Sequence, residues 1–321
     1  KRFKMKILIT GTAGFIGFNL ANYFLEKGIT VYGIDNFDRY YSIKVKKERI
    51  KILNKKKNFF FKKIDISKFA ILNKYIKKKP IDIIIHLAAQ AGVRYSLVNP
   101  NKYLDTNLSG FTNLIKAIEK KNIKKFLYAS SSSVYGDSKK FPLKENDKLQ
   151  PKNIYGLSKK INEELALQYS KIYKTRFIGL RFFTIYGEWG RPDMFIMKLF
   201  KSSVLKKSFY LNNYGNHKRD FTYIGDVVKI IEILIKKKTD NHSIFNICSN
   251  KPINIYNIVK KFRKNNYLNL KLIQLNKADV LKTHGDNSEI KKFTKFNKFS
   301  KFNKRFLQVL EWYKKNKVEK L

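Results

Sequence analysis

The chain has 321 residues, 43% hydrophobic and 15% aromatic, enough to bury a sizeable core in one large domain or two modest ones. Its 69 Lys and Arg against 24 Asp and Glu give a formal net charge of +45. The single cysteine, Cys248, excludes an intrachain disulfide and a cysteine-based metal site, and the four histidines (His86, His217, His242, His284) lack ligand spacing. Such a charge invites a nucleic-acid or anionic-surface reading. The lysines, however, are spread through every segment (Lys55–Lys57, Lys77–Lys79, Lys236–Lys238) and form no single stripe. Compositional drift toward Lys, Asn, Ile and Phe on tolerant positions accounts for them. Salt-sensitive, nonspecific binding to polyanions is expected, and no specific nucleic-acid partner. No apolar run approaches the ~20 residues a membrane span needs. The basic start Lys1–Thr10 runs into glycines at 11, 14 and 17 with no cleavage site, so the expectation is a cytoplasmic protein.

Lys6 to Thr10 is the short apolar run of a buried parallel strand. It passes directly into Gly11-Thr-Ala-Gly14-Phe-Ile-Gly17 and then into helical apolar spacing from Phe18 to Glu26. Glycines at a strand-to-helix turn let a pyrophosphate approach the backbone and meet the helix N-terminus. The next strand, Thr30 to Ile34, ends in Asp35, where a carboxylate accepts from ribose hydroxyls and repels a 2′-phosphate. That favours NAD over NADP, with Arg39 as the one contrary charge nearby. A third strand over Phe59–Ile64 ends in Asp65-Ile66, a place for an adenine ring. A fourth, Ile81–His86, is followed by the small residues Leu87-Ala-Ala-Gln-Ala-Gly92, over which a flat ring can lie. A helix through Asn107 and Leu114 to Glu119 leads to the strand Lys125–Ala129 and the serine run 130–133. Strand and helix alternate, and each candidate functional group falls at a strand's C-terminal end. This predicts an α/β, Rossmann-like doubly wound parallel sheet.

Tyr155 and Lys159, four apart in Tyr155-Gly-Leu-Ser-Lys159, share one face of a helix expected to run to about Tyr173. An ammonium beside a phenol favours the phenolate, and Ser131 supplies a hydroxyl to share a substrate's proton. After a sixth strand, Arg176–Phe183, the elements become shorter and irregular: 194–205, 208–211, 221–223, 225–237, 243–248, 255–263 and a last helix over 302–313. The expected division is a dinucleotide domain over 1–183, with later segments returning to it, and a smaller mixed α/β lobe over 184–321. Lys291–Lys304 interleaves lysine with phenylalanine. It reads as a loop and helix entry, with base stacking on single strands as the competing reading.

Taken together, these residues resemble the extended short-chain dehydrogenase/reductases of the NAD-dependent nucleotide-sugar epimerase/dehydratase family, from about Met5 to Tyr313. The carrying segments are His86-Leu-Ala-Ala-Gln-Ala-Gly-Val-Arg-Tyr-Ser96, Leu180-Arg-Phe-Phe-Thr-Ile-Tyr-Gly-Glu-Trp-Gly-Arg-Pro-Asp-Met194 and Arg219-Asp-Phe-Thr-Tyr-Ile224. Within the family they are most similar to the branch acting on UDP-glucuronate. The resemblance implies NAD held by Gly11, Gly14, Phe15, Ile16, Gly17, Asp35, Asn36, Asp65, Ile66, Leu87, Ala88 and Ala89, together with Tyr155 and Lys159. It implies catalysis by Ser131, Tyr155 and Lys159. For a UDP-sugar substrate it implies contacts from Arg94, Ser132, Ser133, Thr184 and Arg219, with Asp286 near the uridine ribose and Arg191 on the sugar carboxylate. It also implies a homodimer.

In related dehydratases and decarboxylases the position before Val-Tyr-Gly is acidic; here it is Ser133, preceded by Ser132. Without that carboxylate, oxidation and re-reduction at carbon 4 is the expected outcome, turning UDP-glucuronate into UDP-galacturonate. The alternatives are a 4-epimerase of neutral UDP-sugars and, from another class, an idle NAD- or polyanion-binding protein.

Overall fold

The computed structural model describes residues 5–275 and 279–321. Six strands alternate with helices through the first half: β1 (Lys6–Thr10), β2 (Thr30–Asp35), β3 (Phe59–Lys63), β4 (Ile83–His86), β5 (Lys125–Ser131) and β6 (Arg176–Phe182). The second half adds β7 (Thr184–Tyr186), β8 (Ser208–Asn212), β9 (Lys218–Tyr223), β10 (His242–Ile247), β11 (Pro252–Asn254) and β12 (Asn269–Ile273). The main sheet has seven strands in the order β10-β6-β5-β4-β1-β2-β3, all parallel.

Alternation along each strand fills both faces. Ile7 and Ile9 of β1, with Ile83 and Ile85 of β4, join a core with the helices Phe15–Glu26 and Ile224–Lys236. Leu8 and Ile84 point the other way, into a core with the helices Phe69–Lys77 and Gly110–Ile118. Burial on both faces explains why these strands are nearly continuous apolar runs. The sheet reverses its winding at β1, which lies between β2 and β4. That switch point opens the crevice in which doubly wound sheets bind ligands.

The smaller mixed part holds the sheet β11-β9-β7 and the parallel pair β12-β8. Its core gathers Phe200, Phe209, Phe221, Phe262 and Phe306. The strand β10 leaves this half and pairs with β6 from His242↔Phe177 to Ile247↔Phe182. The phenylalanines of the 291–304 tract face inward. Phe293, Phe296 and Phe299 pack on the first core and Phe302 on the third, so these rings are engaged inside the protein. The chain between the helices Ser288–Thr294 and Phe302–Lys315 is irregular, as a loop and helix entry requires. Among the described residues no helix is long and apolar enough to cross a membrane.

Candidate active site

At the C-terminal ends of β1, β2, β4 and β5 the turns enclose one deep cleft, lined from Gly11 at one end to Tyr155, Lys159 and Arg191 at the other. Its floor depends on a glycine. Gly11 has φ +71°, and a Cβ there would stand 2.7 Å from the Ala88 nitrogen, so the turn after β1 and the segment after β4 touch through backbone alone. Thr10 fixes the same contact from below. Its Oγ1 accepts from the backbone N–H of Leu87 (3.2 Å) and Ala88 (3.1 Å) and lies 2.7 Å from Nδ1 of His86. With both lone pairs taken, the Thr10 hydroxyl donates to Nδ1, which puts the ring proton on Nε2. Burial, with Lys159 adding to it, lowers the His86 pKa to about 3, so the ring is neutral.

Asp35 ends β2 inside the cleft, accepting from the N–H of Ala13 (3.1 Å) and Phe37 (2.8 Å). Burial raises its pKa, while Lys46, these two N–H groups and Arg49 oppose the rise. Neither Lys46 nor Arg49 carries a motif that marks it in the sequence. Lys46 lines the cleft and donates to the Asp38 carbonyl at 2.7 Å. Arg49 is fully buried and joins the glycine turn to the loop before Arg191, donating to the carbonyls of Ala13 (2.8 Å) and Trp189 (2.6 Å).

Phe15, Ile16, Asn36, Ile66, Leu87 and Ala89 also line the cleft, with Gly14, Gly17 and Ala88. Asp65 does not. Its carboxylate is taken by Ser67 and by Asn36, whose Nδ2 donates at 3.0 Å, so Asp65 orients Asn36 at the rim.

The chemistry-bearing side chains meet where β5 faces the helix Ile154–Ile172. Ser131 ends β5, and the chain then turns sharply through Ser132–Tyr135. Ser131 Oγ accepts from the N–H of Ser133 (3.1 Å) and lies 3.2 Å from Ser133 Oγ. Asn153 caps the helix by accepting from Gly156 N–H at 2.9 Å. That starts the helix so that Tyr155 and Lys159 both point into the cleft. The helix is locked to the sheet behind them. Glu163 accepts a fork from the buried Arg181 (2.9 and 2.8 Å) and a hydrogen bond from Ser130. The helix expected through Asn107 is present, and it widens there into a π-turn, Leu104–Ser109. Asn107 there accepts from Gln90 N–H (2.8 Å) and donates to Ser158 Oγ (2.9 Å), tying β4's exit to the same helix. An interruption of this kind is a frequent companion of functional sites.

The expected depression of the tyrosine pKa by lysine is not what the protein alone displays. Burial raises the Tyr155 pKa, with Ser131 and Arg191 pulling the other way. Lys159 Nζ stands 6.0 Å from the Tyr155 ring centre, and burial lowers its own pKa to about 8 against the field of Glu163.

The remaining expected residues sit around this core. Arg191 lines the cleft and also an adjoining pocket with Thr184. Its Nε and Nη2 donate to the Asp193 carboxylate at 3.0 and 2.6 Å, a partner two residues on that sequence reasoning passed over. Arg94 lies outside the cleft lining, forked onto Asp279 at 3.0 and 2.6 Å. Arg219 donates to the carbonyls of Lys218 and Leu281, both at 3.0 Å. Asp286 accepts from Ser288 N–H at 2.7 Å, while its own N–H donates to Leu143. Neither Arg219 nor Asp286 reaches the cleft lining.

The profile of the NAD dependent epimerase/dehydratase family matches residues 7–248. The chain belongs to this family. A relative of 41% identity over 318 residues, covering 97% of both chains, is named uncharacterized protein MJ1055 of Methanocaldococcus jannaschii. A UDP-glucuronate 4-epimerase of Thermodesulfobacterium geofontis is 36% identical over 320 residues, 96% of each chain. Among solved structures, UDP-glucuronic acid 4-epimerase from Bacillus cereus, in complex with UDP-glucuronic acid and NAD, superposes with a TM-score of 0.90 at 28% identity. It covers 97% of this chain and 99% of that one. The protein is thus an enzyme of the NAD-dependent nucleotide-sugar epimerase family, and its cofactor is NAD. The cleft fits that dinucleotide on its own terms. The glycine turn opens onto the N-terminus of the helix Phe15–Glu26, the place for a pyrophosphate, and a buried carboxylate stands at the end of β2.

Proposed function

We propose that this enzyme interconverts UDP-glucuronate and UDP-galacturonate, with Arg191 as the residue that recognises the uronic acid. The observation that carries this reading is that Arg191 lines the same cleft as Ser131, Tyr155 and Lys159. In this reading Gly11, Gly14, Gly17, Asp35, Asn36, Ile66 and Ala88 hold the NAD, chiefly from residues 1–183. Most of 184–321 forms the UDP-sugar lobe, with Arg219, Thr184 and Arg94 toward the UDP.

Tyr155 takes the proton of the sugar 4-hydroxyl, and Ser131 shares that hydrogen bond. Lys159, a cation one turn away, favours the phenolate as the proton leaves, against the burial that raises the Tyr155 pKa. NAD held in this cleft would supply the hydride acceptor for oxidation at carbon 4 and the donor for the re-reduction. After the sugar turns over about its phosphate linkage, Tyr155 gives the proton back on the opposite face. The residues before Val134-Tyr135-Gly136 are Ser132 and Ser133, which offer no carboxylate to expel water, and this supports a simple epimerisation. Arg191 fixes the carboxylate and opposes loss of carbon dioxide, to which a 4-keto uronic acid is prone.

The second reading, a neutral UDP-sugar, would hold if Asp193, which is paired with Arg191, shut the substrate carboxylate out. Incubation with UDP-glucuronate and separation of the nucleotide sugars by mass decides between them. A product of unchanged mass supports the reading, and turnover of UDP-glucose alone rejects it. Tyr155→Phe should keep the fold and bound NAD and lose turnover. We place the contact of a homodimer on the outward face of the helix Ile154–Ile172, where Leu157, Ile161 and Leu165 line a shallow groove. Light scattering on the wild type and Ile161→Asp tests that assignment.

A further inference from the structure

A guanidinium has two forks that can each receive a carboxylate: Nε with one terminal nitrogen, and the two terminal nitrogens together. In Arg191 the Nε and Nη2 fork is filled by Asp193, and the Tyr40 hydroxyl lies beside both members of the pair. The guanidinium carbon lies 5.5 Å from the ring centre of Tyr40. Tyr40 is itself held against the chain at Gly92, where a Cβ would stand 2.2 Å from its hydroxyl. Arg191 and Asp193 are both largely buried, with side chains 21% and 26% exposed. The arginine is therefore held along one edge by Asp193 and stacked on one face by Tyr40, and it lines the cleft.

We propose that Asp193 is a specificity-determining positioning residue: it fills one fork of Arg191 so that the other is presented, oriented in advance, to the carboxylate of a hexuronic acid. This rests on the reading of the enzyme as a UDP-glucuronate epimerase. Asp193 does not compete with the substrate, because each carboxylate has its own fork. Orienting the arginine before binding removes the entropy cost of ordering a long side chain in the complex. A neutral sugar gains nothing from this device, since a hydroxymethyl group cannot accept a fork. Asp193 also satisfies the arginine charge when no uronate is present, which a buried guanidinium requires.

The same arrangement guards the 4-keto sugar. Loss of carbon dioxide breaks the bond between carbons 5 and 6, and its electron pair moves into the 4-keto group as an enolate. A proton from water then ends on carbon 5. A carboxylate held by an oriented fork keeps its negative charge on oxygen and its plane fixed, and both resist that electron flow.

The test uses the purified full chain with its bound NAD, as wild type, Asp193→Asn and Asp193→Ala. The kcat/KM values for UDP-glucuronate and UDP-glucose are measured, along with the share of product lighter by carbon dioxide. The ratio of the two kcat/KM values should fall about tenfold in both variants, the scale of one charge-assisted hydrogen bond. The lighter share should rise. A purely structural role would lower both substrates together and leave the ratio alone, which overturns the proposal. A ratio that rises overturns it as well, by making Asp193 a competitor of the substrate. Asp193→Asn keeps the size of the side chain, and circular dichroism confirms its fold should Asp193→Ala fail to accumulate. Wild-type enzyme that ignores UDP-glucuronate rejects the epimerase reading and this one with it. Uronate turnover with an unmoved ratio rejects only the role of Asp193.

Discussion

The backbone of Gly156 lies against the carbonyl of Ser133, so close that a Cβ on Gly156 would stand 2.5 Å from that oxygen. The helix carrying Tyr155 and Lys159 thus rests directly on the turn carrying the serines. Gly156→Ala must push the two apart, because the obstructing atom is backbone and has no rotamer to adopt. The expected result is a fall in kcat of at least about tenfold, the consequence of misplacing reacting groups. Bound NAD and far-ultraviolet circular dichroism should be retained. Steady-state kinetics and the NAD content of the purified variant check both halves.

Lys159 is a buried cation whose ordinary pKa of 10.5 is brought down to about 8 by burial. Between those values the unfolded chain holds a proton that the folded chain has released, so unfolding takes one up. The contribution of Lys159 to stability therefore rises as pH climbs from about 8 to 10.5. Lys159→Met removes the cost of burying the charge. It should be at least as stable as wild type near neutral pH and have no turnover. The stability gap should narrow as pH rises through that window. Urea midpoints across it, with activity assays alongside, provide the measurement.

Thr10→Val keeps the shape of β1 but strips the acceptor from Ala88 N–H and the partner from His86 Nδ1. Leaving buried groups unpaired should cost about 1–3 kcal/mol. It should also loosen the segment that closes the cleft floor, so the purified variant should carry less NAD than wild type. Spectrophotometry of the nucleotide released on denaturation reads this directly. A variant with full NAD and an unchanged melting temperature would show that the hydroxyl is dispensable.

Glu232 accepts hydrogen bonds from Tyr23, Lys27 (2.6 Å) and Lys236 (2.7 Å), joining the helix Ile224–Lys236 to Phe15–Glu26. Burial alone would raise its pKa, but the three donors and the lysine charges hold it down to about 2. Its stabilisation is present above its ordinary value of 4.5 and lost as pH falls from there to about 2. Glu232→Gln should cost about 1 kcal/mol at neutral pH, since both lysines are partly exposed. The difference from wild type should vanish in acid. Chemical denaturation at the two pH values tests it.

Much of the fold was legible because buried parallel strands are apolar runs and the glycine turn sits between a strand and a helix. The pattern failed where burial is one-sided or absent. β12 is mostly exposed, and β7 is three residues long beside a longer strand. At the site, the four-residue spacing placed Tyr155 and Lys159 correctly, but their protonation follows from burial, which spacing does not report. Arg49 and Asp193 escaped for a related reason. Arg49 acts through carbonyl oxygens, which carry no residue identity. Asp193 pairs with an arginine that the resemblance assigns to the sugar carboxylate, which leaves no reason to expect a partner within the chain. Arg94 and Asp65 had partners of their own, Asp279 far along the chain and Asn36 across a strand gap.

The position of β10 bears on how the protein is made. On a ribosome the strands β1 to β6 emerge first, yet β6 stays an open edge until more than sixty further residues have been synthesised and β10 can close it. An open, apolar parallel edge is a template for pairing with other chains. The nascent chain is therefore most exposed to misassembly during that interval. A fragment ending near residue 183 would carry the same hazard permanently, and the expected result of cutting there is a chain that self-associates.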